Sequence, residues 1–343
     1  VSGGDINFKN RLINGDFSVA QRGTSFISTG SANNDDTYHL DRWYVLSDTN
    51  DVVDITQSST APTNQLYSCA LDVETANKKF GIAQIIENKN CTGLIGQTAT
   101  LSFKAKCSAV DKLDNIKCAI ISWSSTADAV TSDFVSAWAV EGTNPTLASN
   151  LTYENTPANL SVTTSWATYS VSASIDTGST TNVGVFIWSD VTDTTAGQFL
   201  YITDVQLEVA ASATDFEFLP YDVTLDRCQR YFQHPDKNYR QDGYPIVPLS
   251  TSVGYGQIRL KATMRTTPTI TFATNIVAYT SGCLYVFRNG GEMAIDSLAT
   301  AQAGTDAVSF TCTDDSGDFN AVQVMMMVQE STSVGVFAAD AEL

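Results

Sequence analysis

The feature that most constrains this 343-residue chain is the period of its apolar residues. Along the first two thirds they alternate with polar residues in short runs. Thr98-Ala99-Thr100-Leu101-Ser102-Phe103-Lys104-Ala105-Lys106 is one, and Lys117 to Trp123, Trp166 to Ile175, Val183 to Trp188 and Phe199 to Leu207 are others. Successive side chains of a β-strand point to opposite faces, so this period makes strands with a buried face. Turn-forming clusters separate the runs, as in Asn33-Asn34-Asp35-Asp36 and Asp176-Thr177-Gly178-Ser179. No stretch there holds an i, i+3, i+4, i+7 stripe for long, so helices are not expected to build the core. The pattern predicts a jelly-roll-like β-sandwich over residues 11–222. Residues 1–10, polar and glycine-bearing, read as a leader or linker.

A change of pattern ends the sandwich. Val205, Leu207 and Val209 alternate with Gln206 and Glu208, and Phe216 and Phe218 alternate with Asp215 and Glu217. Pro220 has no N–H for a ladder. Asp222 or Thr224 can then cap a short hinge helix over 223–233, with Leu225, Cys228, Tyr231 and Phe232 on one buried face. Residues 234–343 read as a second, smaller C-terminal β domain. Its clearest strands are Ile258 to Ala262, Thr269 to Phe272, Cys283 to Phe287, Ala307 to Thr311 and Val322 to Val328. Asn289-Gly290-Gly291 marks a hairpin. Met325-Met326-Met327 reads as core or subunit interface, and Arg227 and Arg230 as salt-bridge partners within the hinge or between subunits. The fold class is therefore all-β.

Composition excludes several functions. Net charge is −18 with no Lys/Arg cluster, which argues against a nucleic-acid partner and against anionic membranes. The chain carries neither a signal-peptide pattern nor a long apolar span, so no membrane insertion is expected. It begins at Val1 rather than Met, which suggests processing, trimming or a further leading segment. The seven cysteines form no CxxC pair, and an odd count argues against a complete disulfide framework. Several lie in strand-like runs, where free Cys behaves as a small buried hydrophobe. That suits folding in a reducing bacterial cytoplasm.

Three groups of residues carry a resemblance. Leu12-Ile13-Asn14-Gly15-Asp16-Phe17, Gln21-Arg22-Gly23-Thr24-Ser25-Phe26 and Asp41-Arg42-Trp43 stand near the start. The junction reads VQLEVAASATDFEFLPYDVTLDRCQRYF, and Met264-Arg265-Thr266-Thr267-Pro268-Thr269-Ile270 follows it. In this order, over roughly residues 10–275, they resemble phage tail-fibre and receptor-binding proteins. The resemblance implies a virion protein made in the host cytoplasm, assembled as a homotrimer with other virion proteins. Its expected work is adhesion to host surface polysaccharide. A capsid decoration or head-fibre protein is the first alternative, and a glycan-cleaving tail spike the second. The rhythm of the sandwich also resembles carbohydrate-binding modules of the sandwich type.

Catalysis has few residues to draw on. Only His39 and His234 could serve a triad, no GxSxG or HExxH occurs, and 37 acidic residues make carboxylate pairs uninformative. We therefore expect no enzyme. His39 reads as a satisfied loop or edge residue, and His234 as a cation at the hinge helix C-terminus. Sugar binding is better supplied, because flat aromatic rings stack on sugar faces while polar neighbours bind hydroxyls. Trp43 and Trp166 read as core. Trp123 and Trp138, with Trp188, are the candidate stacking residues, Trp123 and Trp188 because each ends an apolar run; edge-of-core packing is the competing reading. No cofactor is expected beyond the structural calcium that the sandwich-module resemblance implies. Asn14, Asp16 and Asp204 match its place. The competing reading has Asp16 capping a turn and Asp204 paired with Arg22 or Arg42.

Overall fold

The computed structural model describes residues 8–27, 33–234, 244–272, 284–288, 291–295, 297–313, 325–329 and 337–343. The chain divides into two compact units, Val1–Thr224 with Leu343, and Leu225–Glu342. Among the described residues, thirteen strands and one short helix lie wholly within the first. In chain order the strands are β1 (Ser25–Phe26), β2 (Tyr44–Ser47), β3 (Val53–Ser58), β4 (Ser68–Val73), β5 (Phe80–Ile86), β6 (Thr98–Cys107) and β7 (Ile116–Trp123). Then come β8 (Val135–Ala137), β9 (Thr146–Leu147), β10 (Leu151–Tyr153), β11 (Ala167–Ser174), β12 (Asn182–Ser189) and β13 (Phe199–Val209). The helix α1 (Asn88–Cys91) follows β5.

Two antiparallel sheets form the sandwich. One has six strands in the order β1-β3-β4-β13-β6-β11, the other five in the order β10-β7-β12-β5-β2. Between them lies the main core. The alternating strands supply it: Leu101, Phe103, Ala105 and Cys107 from β6, Leu200, Ile202, Val205 and Leu207 from β13, and Val183, Val185 and Ile187 from β12. Every one is buried, as period-2 patterning requires. The all-β jelly-roll-like sandwich expected from that period is present.

The motif residues of the first unit lock the sandwich's end. Gly15 O accepts from Val205 N, and a Cβ on Gly15 would collide with Val205 O, so only glycine permits this approach. Asn14 donates through Nδ2 to Val19 O and Asp41 O and accepts at Oδ1 from Val19 N. Trp43 Nε1 donates to Asn14 O at 3.0 Å, and Asp41 accepts from Gln21. Gln84 closes the set with paired bonds to the Ile13 backbone.

The junction is held by side chains that the alternation places at polar positions. Gln206 and Glu208 are buried rather than solvated. Gln206 Oε1 accepts from Glu217 N at 2.8 Å, its Nε2 donates to Glu208 Oε1 at 2.9 Å, and Glu208 Oε1 accepts from Thr214 N at 2.8 Å. Residues 213–220 thus run as an extended strap without joining a sheet. The helix α2 (Tyr221–Gln229) follows, starting and ending earlier than the expected 223–233. Phe232 leaves the helix for a strand, and there cross-strand pairing overrides the helical spacing.

The second unit contains β14 (Phe232–Gln233), β15 (Tyr244–Pro248), β16 (Val253–Arg259), β17 (Thr269–Phe272) and β18 (Leu284–Arg288). It continues with β19 (Gly291–Ala294), β20 (Ser297–Ala303), β21 (Ala307–Thr313), β22 (Met325–Gln329) and β23 (Phe337–Asp340). Seven strands order as β19-β18-β22-β15-β16-β21-β20, and three as β14-β23-β17. Arg288 pairs with Gly291 across the expected hairpin. Cys228, Tyr231 and Phe232 are buried. His234 lies edge-on to the Phe232 ring, beyond β14 rather than at the helix end. The side chains of Met325–Met327 lie outside the described residues. No helix among the described residues is long and apolar enough to cross a membrane.

Candidate ligand-binding faces

Each sheet of the sandwich has an outer face, and the two differ in how far they are covered. On the five-stranded sheet that face is apolar: Tyr44 and Leu46 from β2, Ala83 and Ile85 from β5, Ala119 and Ile121 from β7, Phe186 and Trp188 from β12. The flap of residues 124–150, which carries β8 and β9, covers it. Phe134 meets Tyr44 edge-on with centroids 5.8 Å apart, and Trp138 meets Phe186 the same way at 6.0 Å. Gly184 provides the seat, since a Cβ there would come within 2.6 Å of the Phe134 ring.

Buried ions latch the flap. Lys79 and Lys117 both pair with Asp190, Lys117 at 2.7 Å. Gly142 N donates to Asp190 Oδ2 at 2.9 Å, and Lys117 Nζ to Asn144 Oδ1 at 2.9 Å. Glu141 Oε2 accepts from Thr192 N and Oγ1. Burying these charges is tolerable only because each finds a partner.

The three candidate tryptophans all belong to this covered face. Trp188 has no exposed surface, stacked on Phe186 at 4.6 Å with Tyr153 beyond. It presents no ring to solvent, because the flap has made the end of its strand a second core. Trp123 and Trp138 are half-buried against that core, and Trp123 Nε1 donates to Thr126 O at 2.9 Å.

The outer face of the six-stranded sheet is covered only in part: Gln206 and Glu208 lie under the strap and Ser68, Ala70 and Thr203 are buried too, while the part around Phe199, Tyr201 and Lys106 keeps exposed surface. Phe199 and Tyr201 from β13 stack with centroids 5.5 Å apart, and Trp166 stands 6.3 Å from Tyr201. All three rings are half-buried. Lys106 of β6 sits among them, 5.0 Å from the Tyr201 centroid and 5.6 Å from that of Trp166. Two residues along β6 on the same face, Lys104 lies between Thr168 and Thr203. There the face dips into a cavity of about 520 Å³, lined by Asn64, Gln65, Lys104, Asp204, Asp215 and Phe218 among others. Phe218, on the strap, is 61% exposed.

Asp204 is the most constrained residue of this cavity. It holds φ at +54° in a bulge of β13 between Thr203 and Gln206. Such a conformation is uncommon for a non-glycine residue, and bulges of this kind re-aim side chains. Its carboxylate is buried, with Oδ2 2.8 Å from Lys104 Nζ, and no hydrogen bond reaches Oδ1 from the described residues. A second cavity, of about 470 Å³, shares Asn64, Gln65 and Phe218 and is lined by Asp16 and Tyr67. Burial, with a contribution from the Asp204 charge, pushes the Asp16 carboxyl up.

The calcium set does not fit this geometry. The Asn14 amide is committed to backbone, Asp16 accepts from Ser18, and Lys104, not Arg22 or Arg42, already supplies the cation beside Asp204. The carboxylates that do gather among the described residues are Asp51, Asp54 and Glu74, and the Asn33 amide donates to the first two. His39 is fully buried, where burial first and the Arg22 charge second hold its pKa near 3. A neutral, inaccessible imidazole cannot move protons for a ligand in solvent. The six described cysteines are free and buried; Cys283 lies outside the described residues.

No protein-family model matches the chain, and no curated protein matches it. Among solved structures it is similar to the enzymatically active domain of bacteriophage CBA120 tailspike protein 4, at 16% identity and TM-score 0.33 over 59% of this chain; that match spans 22% of the tailspike chain. It is also similar to TmCBM61 in complex with beta-1,4-galactotriose, at 14% identity and TM-score 0.31, covering 59% of this chain and 99% of that one. A Family 16 Carbohydrate Binding Module-2 aligns at 14% identity and TM-score 0.28, covering 45% and 84%. Scores this low show neither a shared site nor a shared ligand.

Proposed function

We propose that this chain is a non-enzymatic, receptor-binding component of a phage fibre that holds host-surface glycan on the outer face of its six-stranded sheet. The observation that carries this reading is the half-buried row Trp166–Tyr201–Phe199, continuous along β6 with the polar cavity around Lys104 and Asp204. Rings of this kind stack on the apolar faces of sugars, while Asn64 and Gln65 at the cavity offer hydroxyl partners. The ordered resemblance of the Asn14-Gly15-Asp16, junction and Met264-Arg265 motifs to tail-fibre proteins supports the phage setting. That setting brings three copies together in the virion. Each shallow site then gains from the others, because later contacts form at high effective concentration.

Host cells and the full chain test the reading. The chain is expected to bind the cells, and purified host polysaccharide to compete it off. Binding that survives removal of the polysaccharide but is lost after protease treatment of the cells would overturn it in favour of a protein receptor.

A further inference from the structure

Lys104 and Lys106 share one face of β6 but not one role. Lys104 is neutralised by Asp204 at 2.8 Å. Lys106 has no ion pair and no hydrogen bond among the described residues; its Nζ lies over the rings of Tyr201 and Trp166. The Trp166 indole N–H likewise has no acceptor among them. A free ammonium at the centre of an aromatic row is notable in a chain of net charge −18.

We infer that the outer face of the six-stranded sheet selects anionic glycans, with the sugar ring stacked on Trp166 or Tyr201 and its acidic group on Lys106. The inference rests on the reading of this face as the glycan site. The chemistry is complementary at each point. The rings take the apolar face of a pyranose, and the ammonium takes its carboxylate or sulfate. An ammonium held over rings is less hydrated than one in bulk water, which strengthens its attraction for an anion. The chain's net charge of −18 disfavours nonspecific binding of the same polymer.

The test uses the full chain and paired glycans. Polyuronates and sialylated oligosaccharides are each set beside their carboxyl-reduced forms, and sulfated glycans beside their desulfated forms. The acidic member of at least one pair should bind about tenfold or more tightly, the scale of one charge-assisted hydrogen bond. Which pair responds separates carboxylate from sulfate. Lys106→Gln should lower the acidic member to the affinity of the neutral one. Lys106→Arg should keep the preference, and Trp166→Ala should weaken both members. Equal binding of both members by the wild type, or a preference that survives Lys106→Gln, overturns the charge selection while leaving the glycan site standing. No binding to either member of any pair overturns both.

Discussion

Trp43 has no exposed surface and gives its indole N–H to Asn14 O, whereas Trp166 is half-buried with Lys106 beside its ring. Trp43→Ala should therefore cost about 3–5 kcal/mol, and Trp166→Ala no more than about 1 kcal/mol, in chemical denaturation of the full chain. The position of Trp166 was legible in the phase of β11. Tyr169, Val171 and Ala173 point inward, so Trp166 falls in the outward series with Thr168, Ser170 and Ser172. Reading it as core overlooked that phase. Trp188 was legible too: counting Val183 to Trp188 among the alternating runs overlooked Phe186 and Trp188, which make the run apolar on both faces, the mark of a strand buried on both sides. Two titrating residues act in opposite directions. His39, with a folded pKa near 3 against 6.5 unfolded, binds protons more readily in the unfolded chain between those values. Its contribution is present above about pH 6.5 and is lost as pH falls toward 3. Burial first, then Asp35 and Asp133, raise Asp36 to about 7, so its contribution is present at low pH and is lost as pH rises from about 4 to 7. Urea melts across this range should show a shallower acid-side loss in His39→Gln and a shallower neutral-side loss in Asp36→Asn. An unchanged profile in both variants would show that neither group is linked to folding.

The flap of residues 124–150 is the element that the alternation could not announce. Its apolar residues Val130, Phe134, Val135, Trp138 and Leu147 are irregularly spaced, and what they cover is a sheet face far away in sequence. The strap has a similar history. Gln206 and Glu208 look like solvent-facing positions, and only the backbone N–H groups of Thr214 and Glu217 explain their burial. The strands themselves were legible because their period is local. Thr269 to Phe272, for example, matches β17. Two variants test the flap. Gly184→Ala should cost about 1–3 kcal/mol through the clash with Phe134, and Phe134→Ala should absorb part of that cost in a double-mutant cycle. Asp190→Ala should cost about 3–5 kcal/mol, because it leaves Lys79 and Lys117 buried without their carboxylate. Additive effects of Gly184→Ala and Phe134→Ala would show that the two do not touch in solution.

At the scale of the whole molecule, the proposed fibre role predicts a trimer. Light scattering of the purified chain should give three times the monomer mass, and a stable monomer at micromolar concentration would count against the fibre assembly. The acidic surface should keep that assembly soluble and limit unspecific adhesion. The central claim is narrower: the outer face of the six-stranded sheet, not the covered face of the five-stranded one, meets the receptor. Titration of host polysaccharide into Trp166→Ala, with the melting temperature recorded beside it, tests this most directly. The account predicts that affinity falls at least tenfold while the melting temperature stays within a few degrees of wild type. Wild-type affinity in that variant and in Tyr201→Ala would contradict it and place the receptor contact on another part of the chain.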